Sequence, residues 1–456
     1  MRRPDAAEIA CVLAGAVLVV WGAWLLPVPP AVHPLWLYKA RAGKFAIAAL
    51  GALALLWAWG SWRRPQPLLS ESAWRERLTR LALAGGGVLV TVAIVEGLLQ
   101  WLTPSPPANW IRPDERLHHA QKASFSTRFI SPEWDTAVVT NRLGLRDVEI
   151  GPKAPGVVRV LVLGDSYTFG YGVEAAEAYP QVLAALAREA ALPVESVNAG
   201  IPSYSPTLEA LWLRDLGLSL SPDVVVLGLD MSDLQDDLFL EPLVEWGVDG
   251  EPARARPSPR PGKLAQWYKS LLLVRMARFA AEAAYRRSAS GEEFEAPQVR
   301  QLLHNRFALT RDDVSEAEAG LHYRRTFAWL DRMRTLLAKH DVRFLVLTYP
   351  YGHQVATNEW ESGRLHYGFA TGKVYNDEPA RRLSAWATER QVPYLDLFPA
   401  FRAAADGTYY FAQDGHFTPK AHRLAAELLL ARLRELGWIG PPAASHHHNH
   451  GDDSSG

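Results

Sequence analysis

The apolar run Val160-Leu161-Val162-Leu163 stops abruptly on Gly164-Asp165-Ser166. A continuous apolar run of this kind is a strand buried on both faces, and such strands belong to parallel sheets covered by helices. Open α/β sheets keep their ligands beyond the carboxyl ends of the strands, which is where this turn delivers the hydroxyl of Ser166. Ser166 is therefore a candidate nucleophile. A serine hydroxyl is a poor nucleophile at neutral pH unless a base takes its proton, so the reading requires a histidine oriented by a carboxylate. Asp414-Gly415-His416-Phe417-Thr418-Pro419, near the other end of the chain, offers both.

The sequence around these segments alternates in period. Val158 to Leu163, Val194 to Asn198, Val224 to Leu229, Val342 to Thr348 and Pro393 to Leu397 read as short strands. Tyr179 to Ala190, Tyr323 to His340 and Glu378 to Arg390 carry helical periodicity between them. Alternation of this type predicts an α/β fold with a mostly parallel sheet. Residues 110–157 lack helical periodicity, and Asn141 to Asp147 within them reads as a turn or hairpin leading into the sheet. The stretch 238–316 is too long for a connection, so it is expected to be a helical insertion, a cap over the site, with a helix over Leu264 to Arg287. A surface excursion or partner-docking segment is the other reading of it.

The first hundred residues are of another character. Residues 9–26, 45–62 and 81–102 are apolar runs whose only charge is Glu96, and about 20 apolar residues cross a bilayer as a helix. Three transmembrane helices are expected, against a cleaved signal peptide for the first. Arg2 and Arg3 precede the first run, and Arg63, Arg64, Arg75, Arg77 and Arg80 lie between the second and third. The basic side faces the cytoplasm, which puts the segment after Leu102 on the extracytoplasmic side of the inner membrane. Residues 103–109 are a Pro-rich linker, 110–440 the globular domain, and 441–456, with its histidines after Pro441 and Pro442, a disordered tail. A formal net charge of -1 gives no argument for nucleic acid as a partner. The single cysteine, Cys11, precludes an intrachain disulfide.

The ordered set Gly164-Asp165-Ser166, Asn198-Ala199-Gly200 and Asp414-x-His416, over roughly residues 136–437, resembles the SGNH hydrolase superfamily, also called GDSL esterases. Asn141 to Asp147 and Asp414 to His422 are similar, more narrowly, to membrane-anchored bacterial members. The resemblance implies a flavodoxin-like α/β/α sandwich and ester chemistry without a cofactor. It implies Ser166 as nucleophile, His416 as base and Asp414 as the acid that orients it, and an oxyanion hole from Ser166, Gly200 and Ser232. The sequence departs from the family at two places. Where Gly-x-Asn-Asp is usual, the chain has Asp230-Met231-Ser232-Asp233, which puts Ser232 at the amide position; Gly228 is a second choice for the glycine. The acid usually stands three residues before the histidine, which is Gln413, whereas Asp414 stands two before, a spacing similar to the alginate-type O-acetyltransferases. Asp406 and Asp396 are fallbacks for the acid. Thr418-Pro419 reads as a helix start, and His422 as a surface residue. No histidine pair at ligand spacing supports a metal site outside the tail. Tyr349 and Tyr351 are candidates for stacking on sugar rings, or else core.

These observations predict a membrane-anchored serine esterase that removes acyl groups, acetyl above all, from an envelope or exported polysaccharide, with a lipid ester as another substrate. A polysaccharide O-acyltransferase served by a separate acyl-donor membrane protein is the first alternative. A non-catalytic glycan-binding or assembly protein on the same fold is the second.

Overall fold

The computed structural model describes residues 110–258 except 132, residues 307–440 except 313, 315 and 368, and scattered positions within 86–98 and 262–274. The chain divides into two compact units. One comprises Met1–Pro106, Phe129–Trp134 and Pro259–Ala296, and the other Pro107–Arg128, Asp135–Ser258 and Pro297–Gly456. In the first unit, residues 90–98 are helical. The expected spans at 9–26 and 45–62, the linker and the His-rich tail lie outside the described residues, as does half of the third span. Among the described residues no helix is long and apolar enough to cross a membrane.

The second unit is built on five strands, β1 (Val158–Gly164), β2 (Val194–Gly200), β3 (Val224–Leu229), β4 (Arg343–Thr348) and β5 (Tyr394–Asp396). They pair in the order β5-β4-β3-β1-β2. Every pairing is parallel. This is the flavodoxin-like order of a parallel α/β sheet, as expected. The central strand β3 is buried at every position, which is why its sequence, Val-Val-Val-Leu-Gly-Leu, shows no alternation.

Seven helices complete the frame that positions the site. They are α1 (Ser166–Phe169), α2 (Tyr179–Glu189), α3 (Pro206–Asp215), α4 (Met231–Leu240), α5 (Glu316–Lys339), α6 (Glu378–Glu389) and α7 (Pro419–Glu435). Helix α7 packs on α2, while α5 packs on α3 and α4. Strands β1 and β3 hand directly to α1 and α4, so the carboxyl edge of the sheet carries two helix starts side by side.

The stretch 238–316 departs from the expected helical insertion where it is described. Helix α4 runs on to Leu240, and Val244–Trp246 then pairs antiparallel with Pro252–Ala255. The expected helix over Leu264 to Arg287 lies almost wholly outside the described residues. Helix α5 begins at Glu316, about two turns before the periodicity that the sequence shows from Tyr323.

Candidate active site

Ser166 owes its place to two capping residues. The Asp165 carboxylate accepts the Tyr167 N–H at 2.9 Å and so caps α1, and Gly170 ends it with a left-handed φ of 79°. This single turn lies across the end of β2, where Gly164 of β1 pairs with Gly200. A Cβ at Gly200 would stand 2.3 Å from the Phe169 nitrogen, so only glycine lets the turn come so close. The Ser166 side chain is left half-buried at the edge of the sheet.

His416 arrives from a separate loop. Gly415 has a φ of 87°, and a Cβ on it would meet the Trp360 ring at 2.6 Å. Trp360 Nε1 donates to the Gln413 carbonyl at 3.1 Å, and the Tyr167 hydroxyl donates to the Gly415 carbonyl at 2.9 Å. The imidazole lies between the rings of Tyr167 and Tyr171, with centroids 5.0 and 4.9 Å away. Its Nε2 is 2.8 Å from Ser166 Oγ, and its Nδ1 is hydrogen-bonded to Asp414 Oδ1. A carboxylate on Nδ1 fixes the proton there, which leaves the Nε2 lone pair to accept from the serine hydroxyl. Burial alone would lower the His416 pKa, but the charge and hydrogen bond of Asp414, with Asp165 and Asp230 behind, raise it above its ordinary value. Burial likewise opposes ionisation of Asp414, and His416 outweighs it to hold the carboxyl below its ordinary range.

The sequence profile of the GDSL-like Lipase/Acylhydrolase family matches residues 162–424, which spans β1 to the middle of α7 and more than half of the chain. The chain belongs to this family. No curated protein matches it. Among solved structures it is similar to a lipase/acylhydrolase from Enterococcus faecalis, at 14% identity and a TM-score of 0.34, covering 63% of this chain and 100% of that one. It is also similar to an acetylxylan esterase from Geobacillus stearothermophilus, at 15% identity and a TM-score of 0.33, covering 62% of this chain and 96% of that one.

Within this GDSL-family frame the sequence-predicted residues fare unequally. Ser166, His416 and Asp414 are brought together across 250 positions. Asp406 is instead tied to Lys420 and Thr408, and Asp396 accepts the Phe398 N–H at 2.9 Å, so neither fallback acid faces His416. The two other expected oxyanion donors are already engaged. The Gly200 N–H donates to Asn198 Oδ1 at 3.0 Å. Ser232 donates both its N–H, at 2.6 Å, and its hydroxyl, at 2.7 Å, to Asp230 Oδ1, because Asp230 is the N-cap of α4 and Ser232 sits in the first turn it caps. Ser166 opens α1, and a first-turn N–H has no acceptor within its own helix.

His422 is corrected from surface to core. It is buried, and its Nδ1 accepts the Tyr179 N–H at 3.2 Å, tying α7 to α2. Burial, with the charges of His416 and Arg146, pushes its pKa down to about 3, so the ring stays neutral. Tyr349 and Tyr351 are core residues that brace the site. Tyr349 donates its hydroxyl to Asp165 Oδ1 at 3.0 Å, and the Tyr351 oxygen accepts the Ser232 N–H at 3.1 Å.

Three residues of the Asn141–Asp147 motif brace the site, in roles that their residue types alone do not show. The Arg146 guanidinium is buried and donates to the carbonyls of Gly170 at 2.6 Å, Val173 at 2.7 Å, Ala137 at 2.7 Å and Phe169 at 3.3 Å. It thereby clamps the loop that follows Ser166. Its neighbour Asp147 accepts the Asn198 N–H at 2.7 Å and fixes the end of β2. Asn141 closes the turn itself, accepting the N–H groups of Leu143 at 2.9 Å and Leu145 at 3.0 Å. A cavity of about 330 Å³ opens beside the loop after β2 and the exposed side of α4, lined by His118, His119, Ser203, Asp236 and Phe239 among others.

Proposed function

We propose that the chain is a membrane-anchored serine esterase that removes acyl groups, acetyl first among them, from a polysaccharide on the extracytoplasmic side of the inner membrane. In this reading Ser166 Oγ attacks the ester carbonyl as His416 Nε2 takes its proton. The new Ser166 Oγ–C bond forms and the carbonyl electron pair moves to oxygen. Collapse expels the sugar alcohol, which receives the proton from His416, and water then releases the acid by the same steps. Asp414 holds the tautomer and stabilises the imidazolium. The 2.8 Å contact between Ser166 and His416, with Asp414 on the far ring nitrogen, carries the reading.

The substrate side of the proposal has separate support. The apolar runs and the flanking arginines favour an anchored domain facing outward. The Asp414-x-His416 spacing favours a second reading, in which a sugar hydroxyl replaces water and the acyl group is transferred.

The test uses the full-length chain in mild detergent. Ser166→Ala is expected to lower hydrolysis of 4-nitrophenyl acetate on the order of 10⁶-fold in kcat and to abolish labelling by a serine-reactive fluorophosphonate. Full hydrolysis by the variant refutes the proposal, and a wild-type chain that takes no label points to a binding protein. Acid released from an acetylated glycan without acylation of an added acceptor excludes transfer.

A further inference from the structure

The loop that delivers Asp414 and His416 is held from one side by a segment that takes no part in the chemistry. Between β4 and α6 the chain forms two short helices, Gly352–Val355 and Glu361–His366, and Glu359 and Trp360 lie in the turn between them. Glu359 is 0% exposed. Its Oε1 accepts the Gly407 N–H at 2.8 Å and the Tyr409 N–H at 3.3 Å, and its Oε2 accepts the N–H groups of Tyr409 at 3.1 Å and Tyr410 at 3.2 Å. Three N–H groups of one loop thus converge on one buried side chain. The contacts continue along the loop. The Tyr410 hydroxyl donates to the Pro350 carbonyl at 2.6 Å, the Gly363 N–H to the Ala412 carbonyl at 2.8 Å, and Trp360 Nε1 to the Gln413 carbonyl. The next residue is Asp414.

The hold on residues 407–413 reaches the imidazole through the loop's own hydrogen bonds. Tyr410 pairs antiparallel with Phe417, the Phe411 N–H donates to the His416 carbonyl at 3.0 Å, and the Gly415 N–H donates to the Phe411 carbonyl at 3.1 Å. The loop is therefore a closed ribbon, with Glu359 fixing one limb and His416 on the other. Glu359 is itself fixed. The buried Arg364 guanidinium donates to its carbonyl and to those of Ala356 at 2.6 Å and Lys373 at 2.9 Å. Trp360 keeps a left-handed φ of 52°, which a bulky residue holds only where its surroundings impose it. Both oxygens of Glu359 face N–H groups. An amide of the same shape accepts at only one of its two ends, so it would set an N–H against an N–H.

We propose that Glu359 is a positioning residue for the reaction: by anchoring residues 407–410 it keeps Asp414 on Nδ1 of His416 while Nε2 faces Ser166. Its hydrogen bonds go to backbone N–H groups, so it acts through the two catalytic side chains that follow. The inference rests on Ser166, His416 and Asp414 being the catalytic set. Its signature lies in the titration of His416. That ring is faced by Asp414 on its own loop, by Asp165 before α1, by Asp230 before α4, by His422 on α7, and by the rings of Tyr167 and Tyr171. Burial opposes its protonation and the carboxylates favour it, Asp414 foremost. A loop released from Glu359 weakens the contribution of Asp414 and leaves the burial, so His416 then loses its proton at lower pH.

The experiment is the pH profile of kcat and kcat/KM for 4-nitrophenyl acetate, from pH 5 to 9, with the full-length chain in mild detergent. Wild type is expected to gain activity as His416 loses its proton. Glu359→Gln is expected to lower kcat roughly 10²-fold with KM little changed, and to move the acid limb of the profile to lower pH. Simple loss of folded protein would scale the profile down without moving the limb. Trp360→Phe keeps a ring against Gly415 but lacks the donor to the Gln413 carbonyl, and is expected to move the limb the same way by less. It carries the test should Glu359→Gln fail to fold. Added to Asp414→Asn, the Glu359→Gln change is expected to lower the rate little further, because the side chain it positions is already gone. An unmoved limb in the folded variants overturns the proposal, as does the same fold-loss with and without the Asp414 carboxylate. Full activity in Ser166→Ala removes the catalytic set on which it rests, whereas an inactive Ser166→Ala leaves these variants to judge Glu359 alone.

Discussion

At the scale of single residues, the strongest constraint on the nucleophile is a side chain with no place in the chemistry. Arg146 is buried and spends four hydrogen bonds on carbonyls of the loop after α1 and of Ala137. Hydrogen bonds to a charged donor contribute about 1.5–3 kcal/mol each when measured singly, and removing the donor leaves several buried acceptors unmet. Arg146→Met is expected to destabilise the chain by on the order of 3 kcal/mol and to lower kcat by displacing Ser166. Arg146→Lys should recover only part, because an ammonium cannot span the same fork. Urea unfolding with parallel kinetics checks this; a methionine variant as stable as wild type would contradict the clamp. The sequence made the Asn141–Asp147 motif visible but not this role. The partners of Arg146 are backbone carbonyls, which have no signature in the residue types that supply them. Ser166, His416 and Asp414 were legible for the opposite reason, since their chemistry resides in side chains.

At the scale of elements, the strands were legible to within two residues because burial on both faces writes an unbroken apolar run. The misreadings fall where an element's neighbours decide its environment. His422 looked like a polar residue on an amphipathic helix, but α7 packs its face against α2 and the ring becomes an interhelical acceptor. Ser232 looked like a donor, but it lies inside a capped turn. The close crossing of α1 over the end of β2 is the element-level feature on which activity depends. Gly200→Ala places a methyl 2.3 Å from the Phe169 nitrogen, so α1 must move. Overpacking of this kind costs about 1–3 kcal/mol, and a shift approaching 1 Å at a nucleophile costs about 10²-fold in rate. The expected result is a fall of kcat/KM of that order while fluorophosphonate labelling slows in parallel. Unchanged labelling kinetics would mean that the turn does not sense β2.

At the scale of the molecule, the buried carboxyls set how stability responds to pH, and two sets of groups must be separated. Burial raises the pKa of Asp147 to about 6 and of Asp230 to about 7, and raises Asp233 and Glu209 well above the carboxylate range. Acids raised in the folded state stabilise it below their unfolded values and lose that contribution as pH rises through the folded values. Burial lowers His119 to about 4 and His422 to about 3, and lowers His118 and His353 as well. These histidines act in the opposite sense, so the fold gains stability as pH rises to about 6.5, the value at which the unfolded imidazoles lose their protons. Between about pH 4 and 6.5 the two sets oppose each other. Above that the buried histidines are neutral in both states, and the acids act alone, joined by His416 with its raised value. Stability is therefore expected to fall from pH 7 to 9. Each acid still protonated only in the folded chain contributes up to about 1.4 kcal/mol per pH unit to the slope. Glu209→Gln keeps the shape of the side chain without an ionisable group, so it should flatten the slope by that amount wherever Glu209 carries the difference. Urea titrations of the full-length chain at pH 7, 8 and 9 measure it, and a slope identical in wild type and Glu209→Gln would show that Glu209 does not hold its proton there.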